Sequence, residues 1–282
     1  MNLLKPNNIF IILSTCLIIF YVESTVLANL ASFDTNYFKV KPESFYFNYW
    51  ELDDNHNLFM KEYGLMQRIS LSYLYNSNIL YKVEGRFAYG QISYEGSTSY
   101  GHPVNLSNVC DYMFEIRELI GIQLLINSDL AISTFSGLGY RNLNDELGQA
   151  SYLGYKRESN YLYLPLIIQT CVNINNKALI NNEFEYDFFL LGIQNSYLSD
   201  FNPNYNDVTN IQNQGFGLTN NISFSVPLNN LILSTELFFR YWHIEKSYLS
   251  YLKNNGENVG YVWEPENNTI EIGIGIGLFF EF

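Results

Sequence analysis

Apolar residues recur at every second position over much of this chain. In residues 269–282, Ile270, Ile272, Ile274, Ile276, Leu278, Phe280 and Phe282 alternate with Glu271, Gly273, Gly275, Gly277, Phe279 and Glu281. A β-strand converts that period of two into one apolar face. Upstream, residues 68–75 set Ile69, Leu71, Tyr73 and Tyr75 against Arg68, Ser70 and Ser72. Residues 79–93 set Tyr81, Val83, Phe87 and Tyr89 against Lys82, Glu84 and Arg86, and residues 111–126 set Phe114, Ile116, Ile120, Ile122 and Leu124 against Asp111, Glu115 and Arg117. Residues 44–51 place Phe45, Phe47 and Tyr49 on one face, and further strands fit 130–142, 155–173, 179–197, 216–226 and 231–245. Ten strands are predicted.

The connections carry a second pattern. Four are tight: Asn76-Ser77-Asn78, Asn127-Ser128-Asp129, Asn175-Asn176-Lys177 and Asn229-Asn230, residues that tolerate positive φ and bond their own backbone. Five are read as long and polar, near residues 53–65, 96–109, 144–154, 199–214 and 247–268, and they alternate with the tight ones. An even number of strands with short turns at one rim and long loops at the other predicts an all-β fold, a transmembrane antiparallel up-and-down β-barrel with its apolar faces outward. A soluble secreted β-sandwich is the structural rival, but it has no need of such consistently apolar outer faces.

Composition narrows the classes. The mean hydropathy of −0.06 excludes a polytopic helical membrane protein, and 24 Tyr with 21 Phe exclude a disordered chain. A net charge of −13 argues against nucleic acid as a partner. At the N-terminus, Lys5, an apolar run over residues 9–22 and Val26-Leu27-Ala28 read as a cleaved signal peptide, residues 1–28. Residues 29–43 are then expected to be a periplasmic segment and residues 44–282 the barrel. Lipidation at Cys16 is rejected, because Thr15 suits that signal poorly and apolar residues continue beyond it. Cys110 and Cys171 fall toward opposite ends of the predicted strands and are expected to stay unpaired.

On this topology, over residues 44–282, the chain resembles the outer-membrane β-barrel proteins of Gram-negative bacteria, and its strand count is similar to that of the omptins and the ten-stranded adhesins. The specific motif is the terminal alternation Ile274, Ile276, Leu278, Phe280 and Phe282. The resemblance implies that this motif is the signal read by the barrel-assembly machinery. It also implies termini and tight turns in the periplasm, long loops outside the cell, and outer-membrane lipid and lipopolysaccharide as surroundings. An extracellular ligand or host surface is the implied loop partner.

Some residues resist the pattern. Glu118 and Asn220 fall on the lipid face, where bulges are expected to reset the register, and Pro165 within a strand predicts a local irregularity. Tyr81, Tyr89, Tyr112, Tyr140, Tyr186 and Tyr241 fall on outward faces as interfacial anchors.

Candidate chemistry is sparse. The His residues are His56, His102 and His243. Asp54 and His56 stand two apart, as do an Asp and a His in the omptin proteases, but no second acidic pair matches and a solvated loop is the favoured reading. His243, with Glu245 as conceivable orienting partner, is the residue placed for attack on a lipid ester. No metal-ligand spacing, catalytic set or cofactor motif is present. Gly273, Gly275 and Gly277 lie in a strand and serve packing, not phosphate binding.

The inward positions instead collect charge: Lys82, Glu84, Arg86, Asp111, Glu115, Arg117, Arg141, Glu183, Glu185, Asp187, Glu236, Arg240 and Glu271, together with Arg68. A barrel of about ten strands is only slightly wider than the eight-stranded ones that side chains fill. A charge-plugged lumen is expected, in a non-enzymatic surface protein acting through its loops. A rim protease or lipid hydrolase and a narrow small-solute pore are the alternatives.

Overall fold

The structure, a computed structural model, describes residues 35–97, 101–152, 154–174, 177–228 and 231–282. The expected signal peptide (1–28), Cys16, residues 29–34 and turn residues 175–176 and 229–230 lie outside them. Among the described residues thirteen strands run in chain order: β1 (Tyr37–Leu52), β2 (Leu58–Tyr75), β3 (Leu80–Ser97), β4 (Pro103–Asn127), β5 (Leu130–Asp145), β6 (Arg157–Ile174), β7 (Ala178–Ser196), β8 (Val208–Gln212), β9 (Gly215–Leu228), β10 (Leu231–Ile244), β11 (Ser250–Asn254), β12 (Glu257–Val262) and β13 (Glu266–Glu281).

Ten of them, β1 to β7 with β9, β10 and β13, pair antiparallel in that order, and β13 returns to β1. The barrel is closed. Closure pairs every strand edge along the wall, which satisfies the backbone groups that an open sheet would expose. At the seam Tyr37 faces Glu281, the Tyr37 and Phe279 rings meet edge-on at 5.1 Å inside, and Tyr73 stacks on Phe282 at 6.0 Å outside.

Two expectations about boundaries need correction. The barrel wall begins at Tyr37, so residues 37–43 of the expected periplasmic segment are strand; Pro42 and the charges Lys39, Lys41 and Glu43 hid that period. Two of the five long loops are short, since β1 reaches Leu52 before β2 starts at Leu58, and β3 reaches Ser97 before β4 starts at Pro103. Asp53 closes the first of these turns by accepting from the Asn57 and Asn55 backbone N–H groups at 2.8 Å, bonds that hold its carboxyl below the usual range. The fifth loop continues the β10–β13 hairpin upward as β11 and β12, joined by the Ser247 N–H to the Glu264 carbonyl at 3.0 Å.

Face assignment holds on most strands and inverts on one. Phe114, Ile116, Ile120, Ile122 and Leu124 of β4 lie on the outer surface while Glu115 and Arg117 are buried. On β1, however, Phe45, Phe47 and Tyr49 point inward and are buried, with Tyr46 outside. They belong to an aromatic layer inside the loop-side half of the barrel with Met66, Met113 and Phe238.

The resistant residues resolve individually. Glu118 is exposed on the outer face, paired in register with Val83 and Leu138, so the expected bulge is absent there. Asn220 also stays in register and turns its amide to the Glu183 carbonyl at 3.2 Å. Pro165 pairs with Asp187 on one side, whereas the β5 ladder passes from Ser136–Leu166 to Gly139–Tyr163 and skips it. The missing N–H thus falls at an interruption. Cys110 and Cys171 are both free.

Candidate functional site in the barrel lumen

The lumen has three zones. At its waist, inward positions of eight strands hold a continuous ion-pair network. Arg240 grips Glu115 through both terminal nitrogens at 2.8 and 2.9 Å, and the Tyr163 hydroxyl donates to the same carboxylate. Arg117 holds Glu185 at 2.5 and 2.7 Å through Nη1 and Glu84 through Nε. Arg68 reaches Glu43 at 2.8 Å and Glu271 at 2.7 Å, and Arg141 completes Glu271 at 2.9 Å. Arg86 bridges Glu84 and Glu115 at 3.5 and 3.4 Å.

These are the strong charge-assisted geometries of planar guanidinium against carboxylate. Ring faces complete them, because Arg68 lies 4.6 Å from both the Phe45 and Phe238 centroids and Arg141 lies 5.2 Å from that of Trp242. The glycines opposite make room: a Cβ on Gly139 would stand 2.2 Å from the Tyr163 ring, and one on Gly273 2.5 Å from Phe45.

Toward the tight turns the network runs on through lysines. Lys41 bridges Glu43 at 3.0 Å and Glu236, Lys39 meets Glu236 at 3.2 Å, and Lys82 meets Glu84 at 2.8 Å and Glu183 at 3.7 Å. They line a cavity of about 160 Å³ with Ser72, Gln123 and Ser223. Toward the loops lies a smaller chamber of about 30 Å³ lined by Glu62, Asp111, Asp145, Arg157 and Gln194.

Of the fourteen inward charges read from the sequence, twelve join the network, and its continuity also depends on Glu43 and Lys41. Asp111 stands apart in the loop-side chamber, and Asp187 is buried beside Gly217 with its carboxyl against that of Glu185. Lys39, Lys41 and Glu43 escape a sequence reading because charges and Pro42 mask the start of β1, and Glu62 because its polar stretch reads as loop. Alternation carried through residues 37–43 was the signal available.

Every histidine is at the loop rim. His56 is exposed, with Nδ1 3.3 Å from Glu266. His243 lies outside the buried Trp242, with Nδ1 3.0 Å from Asn268 Oδ1 and Nε2 3.4 Å from Glu245. His102 is exposed near the start of β4. The structure does not bring the three together at one site.

Comparison with known proteins fixes the fold. No family model matches, and no curated protein matches either. Among solved structures, the outer membrane protease OmpT of Escherichia coli superposes with a TM-score of 0.62 at 7% identity, covering 91% of this chain and 100% of that one. The chain has the fold of an outer-membrane β-barrel. The translocator domain of the autotransporter NalP from Neisseria meningitidis, with TM-score 0.39, 12% identity and 87% and 90% coverage, is a looser match. So is Neisserial surface protein A, with TM-score 0.29, 12% identity and 85% and 95% coverage. At these identities the likeness concerns fold, which hosts unrelated functions.

Proposed function

We propose that this chain resides in the outer membrane of a Gram-negative cell with its tight turns in the periplasm, as a sealed barrel that presents its loop rim as a structural or adhesin-like interaction surface. The observation that carries the reading is the waist network. Arg117, Arg141 and Arg240 are almost wholly buried across the middle of the lumen, leaving no broad conduit among the described residues. Outside, a continuous apolar wall meets lipid and lipopolysaccharide. Above it the β11–β12 hairpin offers Tyr251 and Tyr261, rings 5.0 Å apart, to an extracellular ligand or host surface.

Assembly rests on the last strand, whose Ile274, Ile276, Leu278, Phe280 and Phe282 are read by the barrel-assembly machinery in this account. Phe282→Asp abolishes heat-modifiable folding in the membrane fraction while Glu281→Ala preserves it; equal yields contradict that role. Trypsin added to intact cells cuts at Lys253 in the β11–β12 turn region if the loop rim is outside. Protection of this site in intact cells, with cleavage after outer-membrane permeabilisation, overturns the orientation.

A rim hydrolase is the second reading, favoured by the His243, Asn268 and Glu245 contacts. Cleavage of a peptide or lipopolysaccharide by the purified barrel, lost in His243→Ala, establishes it in place of the first.

A further inference from the structure

The connector between β12 and β13 turns one acidic side chain into the lumen. Glu264, 5% exposed, sets Oε1 2.5 Å from Arg157 Nη2 and 3.3 Å from the Tyr49 hydroxyl. Glu51, near the end of β1 and 1% exposed, brings its own Oε1 to the same two groups: Nη2 again, and the Tyr49 hydroxyl at 2.9 Å. Two side chains thus crowd one guanidinium nitrogen and one phenol, and their carboxyls meet each other. Among the described residues Arg157 is the one cation paired with either. The other charges facing that arginine are all acids, Glu62 from β2, Asp111 from β4 and Asp145 from β5. Tyr94, Tyr155 and Tyr161 complete the surroundings with phenols, which carry no charge near neutrality.

Two carboxylates pressed together out of water repel, and one proton held between them replaces the repulsion with a hydrogen bond. Burial, with Glu51 alongside, pushes the Glu264 carboxyl up to about 8 against the pull of Arg157.

The same residue closes the base of the β11–β12 hairpin. The Glu264 N–H donates to the Ser247 hydroxyl at 2.8 Å, and the Glu264 carbonyl accepts from the Ser247 N–H at 3.0 Å. On its other flank the hairpin rests on β8 through uncharged groups: the Tyr248 N–H donates to the Ile211 carbonyl at 3.0 Å, and the Asn210 amide to the Val262 carbonyl at 3.3 Å. One flank is indifferent to pH and the other is tied through a pair of acids. We propose that the Glu51–Glu264 pair is a proton-operated latch, which draws the base of the hairpin toward the lumen while the two carboxyls share a proton and releases it when that proton leaves.

A carboxyl raised on folding contributes its hold in full below the ordinary range of Glu, and loses it as the pH climbs through about 8. Acid and neutral media keep the latch closed, and alkali loosens it. The device goes beyond the surface-protein reading and needs no ligand.

The test compares the full barrel in detergent at about pH 6 and about pH 9.5, by infrared difference spectroscopy and by hydrogen exchange corrected for its intrinsic pH dependence. On going to the higher pH, the wild type is expected to lose protonated-carboxyl absorption. Protection of the Ser247 and Glu264 N–H groups falls roughly tenfold or more, while that of Tyr248, on the β8 flank, is kept. Glu264→Gln, whose amide neither charges nor repels Glu51, loses less of that absorption and keeps its base protected at both pH values. Glu51→Gln removes the same repulsion from the other side and gives the same flat response should the first variant fail to fold. Equal absorption loss in the wild type and the folded variants overturns the proposal, as does a wild-type base equally protected at both pH values. So do glutamine variants that lose protection already at the lower pH, as removal of a plain ion pair would cause.

Discussion

The waist of the lumen and the chamber beneath the loop rim are both built of buried charge, yet they differ in how far cations and anions are matched. At the waist each guanidinium meets carboxylates from other strands, as Arg240 meets Glu115 and Arg117 meets Glu185. In the chamber Arg157 serves Glu51 and Glu264, while Glu62, Asp111 and Asp145 crowd the same lining. Pairing, and not the number of charges, decides what a buried ionic site does to the fold. A network paired across strands locks the wall together, whereas a site with surplus acids is held at a cost.

Breaking the waist gives the largest effect. Arg240→Ala removes both short bonds to the buried Glu115 carboxylate, leaving it the Tyr163 hydroxyl and the 3.4 Å contact with Arg86, and is expected to cost about 3 kcal/mol in denaturant unfolding of the micelle-bound barrel. Arg86→Ala costs clearly less, since its contacts are at 3.4 and 3.5 Å; equal losses would show that contact geometry is not what matters. Trp242→Ala removes the ring packed against Tyr163 at 5.1 Å and beneath Arg141, at about 3 kcal/mol by cavity formation. Glu62→Gln has the opposite sign. It relieves the crowding of acids with Asp111 and Asp145 and stabilises by about 1 kcal/mol in the same assay. A loss of stability there would mean that Glu62 is already neutralised within the fold.

Much of the wall was legible because a barrel strand sees only two environments, so Glu183, Glu185 and Asp187 announce the lumen as plainly as Phe184 and Phe188 announce the outside. Legibility failed where the lumen itself turns apolar. Phe45, Phe47 and Tyr49 alternate as cleanly as any outer face, and period alone does not say which side is lipid. It failed again where both faces are polar, as at the start of β1 and the top of β2, where Lys39 and Glu62 read as segment and loop. The surplus of acid in the chamber was hidden for another reason: Glu62, Asp111, Asp145 and Arg157 come from four strands, and only register brings them to one level. Asp111 was found as an inward charge, but its separation from the network depends on partners that sequence does not order.

Conductance in planar bilayers tests the central claim, a lumen sealed at the waist, most directly. The intact barrel is expected to insert with little steady current at modest voltage, because the Arg68, Arg117, Arg141 and Arg240 pairs fill the cross-section. Large, stable openings of the unmodified protein under the same voltage would contradict the sealed lumen and make the chain a pore.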